Sequence, residues 1–447
     1  MRVLWVFLLL VLTVRANVIF LIIGEEGRIG RNKTSGLKAE LTSECGKIGK
    51  TCKILDSVAD IGGRGHWSVW NSIYRIGESK IFDWLLVLET TSHVRFERLF
   101  DHLEKMDPEK DTFEGYGLFD RRPVIIHHFG LDLPDDHPFM YPDFSAGLLL
   151  STATVKKFVK QIDIEKARGF TIDAKHELAV MMYKELNLEL VSNKHVFCLF
   201  DDPTCAVYHK ENTLGCGSPV SEDQIHVMIK TFTGFHRTRL VIMKRTWTRD
   251  LPLVEYCSDV EDQYVPTINI GVKNTERGHC GKTWAILERF SSSERKSPFL
   301  VIADDDTLMS FERVRSLVSC LDPKEKVIIG ERYGYGFSVD GRSGYDYPTG
   351  GSGMVLTRAA VDALLSKCSC PSDDAPDDMI MGMCADSANV KIVHNAGFHQ
   401  SIVDDYDPDY IRRTLPISFH KFENTDPYKD YMTYLHVTQK TSVHNEL

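Results

Sequence analysis

Four motifs in the second half of this chain recur in the first half in the same order, so the chain is constrained to fold as two copies of one unit. Ala303-Asp304-Asp305-Asp306-Thr307-Leu308-Met309-Ser310-Phe311-Glu312-Arg313 lies over Leu88-Glu89-Thr90-Thr91-Ser92-His93-Val94-Arg95-Phe96-Glu97-Arg98. Tyr347-Pro348-Thr349-Gly350-Gly351-Ser352-Gly353 lies over Tyr141-Pro142-Asp143-Phe144-Ser145-Ala146-Gly147. Asp374-Ala375-Pro376-Asp377-Asp378 lies over Asp173-Ala174-Lys175-His176-Glu177, and Phe398-His399 over Phe197-Cys198. The offset falls from 215 to 206 to 201 residues, as changing loop lengths would produce. At 447 residues the chain is also long for a single core. Residues 17–215 are assigned to the first copy and 216–434 to the second, joined at the turn-rich Gly215-Cys216-Gly217-Ser218-Pro219. Each copy opens on a β-like run, Val18 to Ile23 or His226 to Thr231. Strand-like and helix-like patterns then alternate, which is an α/β rhythm.

The copies diverge where chemistry would sit. Asp304, Asp305 and Asp306 follow the apolar run Phe299 to Ala303, at the carboxyl end of an expected buried strand. Ligands bind at such strand ends in α/β sheets. Three adjacent carboxylates repel one another, and oxygen ligands suit Mg²⁺ or Mn²⁺. The competing reading makes Asp306 the N-cap of a helix from Thr307 to Leu321, but a cap needs one carboxylate. In the first copy the same place reads Glu89-Thr90-Thr91, so the scaffold does not itself require three aspartates. Gly350 and Gly351 stand in a turn with almost no side-chain bulk, which lets a ligand approach the backbone closely. Asp377 and Asp378 precede an apolar helical run, where a carboxylate could act as a general base. His399 could supply a nitrogen ligand to the same metal, and Lys282 could meet phosphate oxygens. The first copy therefore reads as non-catalytic, either binding acceptor or bracing the second, alternatives that its sequence leaves open.

The two ends of the chain carry targeting signals. A basic start at Met1-Arg2, a run of mainly apolar residues from Val3 to Val14 and small or modest residues up to Ala16 fit a cleavable secretory signal over 1–16. Membrane association is expected only if that segment stays uncleaved. The tail over 435–447 ends in His444-Asn445-Glu446-Leu447, similar to the Lys-Asp-Glu-Leu class of endoplasmic reticulum retrieval signals. Eleven cysteines fit an oxidising lumen, and the odd number leaves at least one thiol outside intrachain pairs. Cys45–Cys52 and Cys198–Cys205 are the local pairs expected. Asn32-Lys33-Thr34 is a glycosylation acceptor in that compartment. A net charge of −10 without a long basic cluster argues against a nucleic-acid partner.

With these residues in place, the second copy resembles the fringe-like β-1,3-glycosyltransferases. The matching elements are Lys230-Thr231, Phe235 to Leu240, Thr246-Trp247, Tyr256-Cys257-Ser258-Asp259, Lys282, Asp304-Asp305-Asp306, Thr349 to Gly353, Pro376-Asp377-Asp378 and Phe398-His399. Within the family, the degenerate first copy, the Tyr333 to Gly336 run, Pro416 to Lys421 and the retrieval-like tail resemble the branch that adds glucose to O-linked fucose on thrombospondin type 1 repeats. The resemblance implies two tandem GT-A-like (Rossmann-like) α/β domains, the first degenerate. It also implies UDP-glucose as donor, Mn²⁺ as cofactor, O-fucosylated thrombospondin repeat proteins as partners and an endoplasmic reticulum location. By motif, Asp306 would be the principal metal ligand, with Asp304 alongside and His399 completing the site. Asp304 and Asp305 would lie near the nucleotide and ribose, Asp259 would face the uracil and Lys282 the diphosphate. Asp378 would be the catalytic base, ahead of Asp377. Two other readings stand beside this one: a fringe-like transferase of another UDP-sugar, and a luminal glycan-binding protein without catalysis.

Overall fold

The computed structural model describes residues 16–120, 139–210 and 214–437. The expected signal segment and the retrieval-like tail lie outside these residues, apart from Ala16 and residues 435–437. Among the described residues, no helix is long and apolar enough to cross a membrane.

Two twisted sheets form the framework. The first runs in the order Cys52–Asp56, Ala16–Ile23, Phe82–Glu89, Leu148–Ser151, Phe113–Gly115, Val191–Ser192. The second runs Thr267–Asn269, Val254–Ser258, Ile225–Lys230, Phe299–Asp304, Met354–Thr357, Val327–Gly330, Lys391–His394. Apart from the extra edge strand Thr267–Asn269, the two orders correspond strand for strand. In each sheet one strand, Leu148–Ser151 or Met354–Thr357, runs antiparallel to both neighbours while the remaining pairs are parallel. The central strands are apolar along their whole length because helices cover both faces. Val18 to Ile22 and Phe299 to Ala303 are all fully or almost fully buried.

A short ladder flanks each sheet. Ser92–Val94 pairs antiparallel with Val207–His209, and Thr307–Met309 pairs antiparallel with Ser418–His420. The registers correspond: His209 faces Ser92, and His420 faces Thr307.

The halves are knitted together rather than strung on a linker. Phe170–Thr171 of the first half pairs with Arg332–Tyr335 of the second. Phe337 and Val339 are buried in the core of the first half. Arg332 clasps Glu25 with two hydrogen bonds of 2.8 Å, and Arg413 donates to Asp143 at 2.7 Å. The turn-rich joint is pinned by the Cys216–Cys320 disulfide. Both expected local disulfides form, joined by Cys280–Cys370 and Cys368–Cys384, and the remaining thiol, Cys257, is buried. Asn32 is exposed on the helix Gly27–Ile48, whereas the Thr34 side chain is buried.

Candidate active site

The acidic triplet closes the strand Phe299–Asp304 and turns directly into the strand Thr307–Met309. The helix begins only at Phe311, so the N-cap reading of Asp306 fails. The chain reverses instead, and its antiparallel partner carries His420 to the triplet. His420 Nε2 lies 3.1 Å from Asp306 and 4.0 Å from Asp304. Asp304, Asp306 and His420 offer ligand atoms that all lie within 4.8 Å of one another. His420 Nδ1 is 3.1 Å from the Gln400 carbonyl, an arrangement that fixes the proton on Nδ1 and leaves Nε2 as a ligand. Two carboxylates and an imidazole fit a divalent cation. Burial disfavours a charged imidazole, but Asp306 outweighs it and raises the proton affinity of His420. The same negative field favours a metal ion.

The histidine expected here was His399. Its ring stacks on Phe419 at 4.6 Å and its Nδ1 meets the Ser418 carbonyl at 3.0 Å. It is fully buried and does not join the Asp304–Asp306–His420 group. His399 packs against the short strand Ser418–His420, whereas His420 is part of it and so belongs to the ladder that faces the triplet. A sequence signal for it existed in Tyr208-His209 against Phe419-His420, beyond the last motif pair that the comparison of the halves used.

Arg239 neutralises the other side of the triplet. Its guanidinium donates to Asp305 at 2.9 Å, lies 3.1 Å from Asp306 and also pairs with Glu423. Burial pushes the Asp305 carboxyl up to about 6, against hydrogen bonds from Thr231 and Arg239. Burial also opposes ionisation of Asp306, but His420 and Arg239 hold it below the usual carboxylate range.

Lys230, at the end of the neighbouring strand, links the triplet to the second acidic pair. Its ammonium lies 2.9 Å from Asp304 and 2.8 Å from Asp377. Burial works against that charge, and the two carboxylates overcome it to raise the lysine pKa. Asp377 also accepts from Thr283 at 2.6 Å. Despite burial, Lys230 and Thr283 hold Asp377 at about 2. Asp378 is the second residue of the helix Asp377–Ala388, and its side chain accepts from the Met379 backbone at 2.7 Å. Burial and the adjacent charge of Asp377 push its carboxyl in the opposite direction, upward. The two neighbours thus divide into a locked anion and a proton acceptor poised near neutrality, the pattern expected of a general base and its support.

The remaining expected positions line the same strand ends. Lys282 donates to the Thr231 carbonyl at 2.7 Å and to Asn274 at 3.0 Å. Burial lowers its pKa. Asp259 accepts from the Thr233 backbone and hydroxyl, both at 2.9 Å, just beyond the strand Val254–Ser258. Gly350 faces Lys230. Gly351 packs against the His420 ring so closely that a Cβ there would fall 2.2 Å from it. The bare turn thus makes room for a protein side chain, where a ligand was expected to use the space.

Comparison with known proteins points the same way. A family model described as Fringe-like matches residues 220–441. A β-1,3-glucosyltransferase of Mus musculus is 42% identical over 379 residues, covering 83% of this chain and 76% of the relative. A Homo sapiens protein of the same name is 42% identical over 379 residues, covering 83% of this chain and 75% of its own. A glycoprotein-N-acetylgalactosamine 3-β-galactosyltransferase 1 of Xenopus laevis is 24% identical over 155 residues, 33% of this chain and 41% of the relative.

Proposed function

This chain belongs to the β-1,3-glucosyltransferases of the Fringe-like family, and on that premise we propose that it transfers glucose from UDP-glucose to the 3-hydroxyl of O-linked fucose on thrombospondin type 1 repeats. The observation that carries the reading is the buried Lys230, whose ammonium joins a metal-competent carboxylate, Asp304, to the support of a poised base, Asp377, in one ion network.

Asp304, Asp306 and His420 would hold the cation, and the mixed carboxylate and imidazole donors suit Mn²⁺. When bound, the cation supplies Lewis-acid stabilisation to the departing diphosphate. Asp378 takes the proton from the acceptor hydroxyl as that oxygen forms its bond to the anomeric carbon and UDP leaves. One displacement converts an α-linked donor into a β-linked product. Asp377 does not take the proton: held ionised by Lys230 and Thr283, it keeps the proton affinity of Asp378 high. Asp259 and Lys282 line the strand ends where uracil and diphosphate would bind.

The first half is read as non-catalytic. Glu89, Thr90 and Thr91 stand where the triplet is, and Ile23 faces Glu89 in the register in which Lys230 faces Asp304. The paired disulfides and the retrieval-like His444-Asn445-Glu446-Leu447 support residence in the endoplasmic reticulum lumen, where Asn32 would carry a glycan.

The test is a transfer assay with an O-fucosylated thrombospondin repeat and Mn²⁺, comparing UDP-glucose with UDP-N-acetylglucosamine and UDP-galactose, with and without EDTA. EDTA-sensitive transfer from UDP-glucose alone is expected. Preference for another donor would overturn the donor assignment, and no transfer from any donor would leave a glycan-binding protein.

A further inference from the structure

A cavity of about 850 Å³ opens between the halves at the strand ends of the first sheet. Its walls include Glu89, Thr90 and Thr91, the counterparts of the acidic triplet, and His209, the register counterpart of His420. The volume falls within the range of about 300–1,000 Å³ typical of ligand sites.

The wall carries as many acidic as basic side chains, so its charge balances overall, and four ion pairs stand in or behind it. Arg332 is paired with Glu25, Arg28 with Glu325, Lys175 with Asp173 at 3.6 Å, and Arg413 with the buried Asp143. Arg413 arrives from the second half, on the helix Pro408–Arg413. Asp143 occupies the sequence position of Thr349. A fixed cation of the protein itself therefore serves the acids of the first half, where the second half gathers ligands for a metal. Matched charge with no acidic triplet gives a diphosphate no reason to bind. Such a wall does offer donors and acceptors side by side, as the hydroxyls of a polyol require. Aromatic residues line it beside the charged groups: Trp67, Phe200, Tyr208 and Tyr410, each with a cationic side chain over one face of its ring. Phe200 is 42% exposed. Aromatic surface beside paired polar groups suits a sugar ring, which is apolar on its faces and polar at its edge.

We propose that this cavity is a second, metal-independent binding site that takes a neutral saccharide. It differs from the candidate active site in lacking the acidic triplet and the lysine bridge. The site does not depend on which donor the catalytic half uses.

The proposal is tested by saturation-transfer NMR on the full chain with Mn²⁺ and saturating UDP, against a panel of neutral mono- to tetrasaccharides that includes methyl fucoside and glucosyl-β-1,3-fucoside. At least one saccharide is expected to bind without competition from UDP. Phe200→Ala and Glu89→Gln should each weaken that saccharide by about tenfold, the scale of one lost polar or ring contact. UDP affinity and transfer to a free fucoside should stay unchanged in Phe200→Ala, whose exposed side chain can be removed without opening the core. If no saccharide binds with UDP present, the proposal fails. Unchanged affinity in both variants would place the sugar elsewhere and also overturn it. UDP that binds in EDTA and is lost in Phe200→Ala would make the cavity a nucleotide site instead.

Discussion

His420 and Asp306 approach to 3.1 Å across a two-stranded ladder that neither the main sheet nor a helix supplies. The contact makes the histidine the nitrogen donor of the candidate metal site and gives His399 a packing role. His420→Ala should therefore reduce metal affinity by at least about tenfold to a hundredfold, since even supporting residues of metal sites reach that scale. His399→Ala should keep the metal dependence and instead lower thermal stability, because it removes a ring stacked on Phe419 and edge-on to Tyr406. Mn²⁺ titration of transfer activity, with melting curves of both variants, separates the two. Equal loss of metal affinity in both would undo the assignment.

The buried Lys230 holds two partly buried carboxylates, Asp304 and Asp377. Lys230→Met would leave Asp304 and Asp377 without their cation; breaking a fully buried pair costs about 3–5 kcal/mol, and the partial exposure of both carboxylates brings the loss below that. Adding Asp377→Asn to that variant should restore part of the lost stability, because one uncompensated charge disappears. A chemical-denaturation cycle over the two single variants and the double variant measures this coupling. Strict additivity would mean that the bridge contributes nothing to the fold.

Proton transfer should follow Asp378. Burial and the Asp377 charge raise its carboxyl to about 7, so below that pH the base is protonated and inactive. Transfer should rise with pH and level off above neutrality. Asp377→Asn removes the like charge, lowers the Asp378 pKa and should move the rising limb to lower pH. Asp378→Asn should erase the limb, keep UDP-glucose binding and cut the rate by about 10²- to 10⁴-fold. Stability runs the other way. A carboxyl whose folded pKa is raised stabilises the fold through its proton, and that contribution is lost as pH rises through about 7. Asp378→Asn should therefore melt above the parent protein at pH 8.

The fold was legible wherever the chain repeats itself. Asp304 and Glu89 follow apolar runs of the same length, and the two sheets share strand order around them. The strand Ala16–Ile23 and both local disulfides were legible for the same kind of local reason. The parts of the site that stayed hidden come from long-range pairing. His420 reaches Asp306 from 114 positions away, and Lys230 reaches Asp377 from 147. Both stood in elements that the resemblance picked out, Lys230-Thr231 and Pro416 to Lys421, but nothing local gave either residue a role. His399, beside the apolar Phe398, looked more like a strand-end ligand than His420 did. Its burial among aromatic rings is a tertiary fact that no local pattern announces.

Gly350 and Gly351 offer a sharper discrimination, because they are adjacent and chemically identical. A Cβ on Gly351 would fall 2.2 Å from His420 Cε1 and 2.3 Å from Nδ1, inside any tolerable contact. A Cβ on Gly350 would meet only the Lys230 ammonium, at an ordinary 3.7 Å. The His420 ring cannot retreat easily, because its Nδ1 is held by the Gln400 carbonyl and its backbone by the ladder to Thr307. Gly351→Ala should therefore push Nε2 away from Asp306 and weaken Mn²⁺ binding by about tenfold or more, with overpacking costing about 1–3 kcal/mol of stability. Gly350→Ala should bind Mn²⁺ as the parent does. Isothermal titration with Mn²⁺ in the presence of UDP reads both. If Gly351→Ala kept the parent's metal affinity, His420 could not be the ligand that this turn was left bare to accommodate.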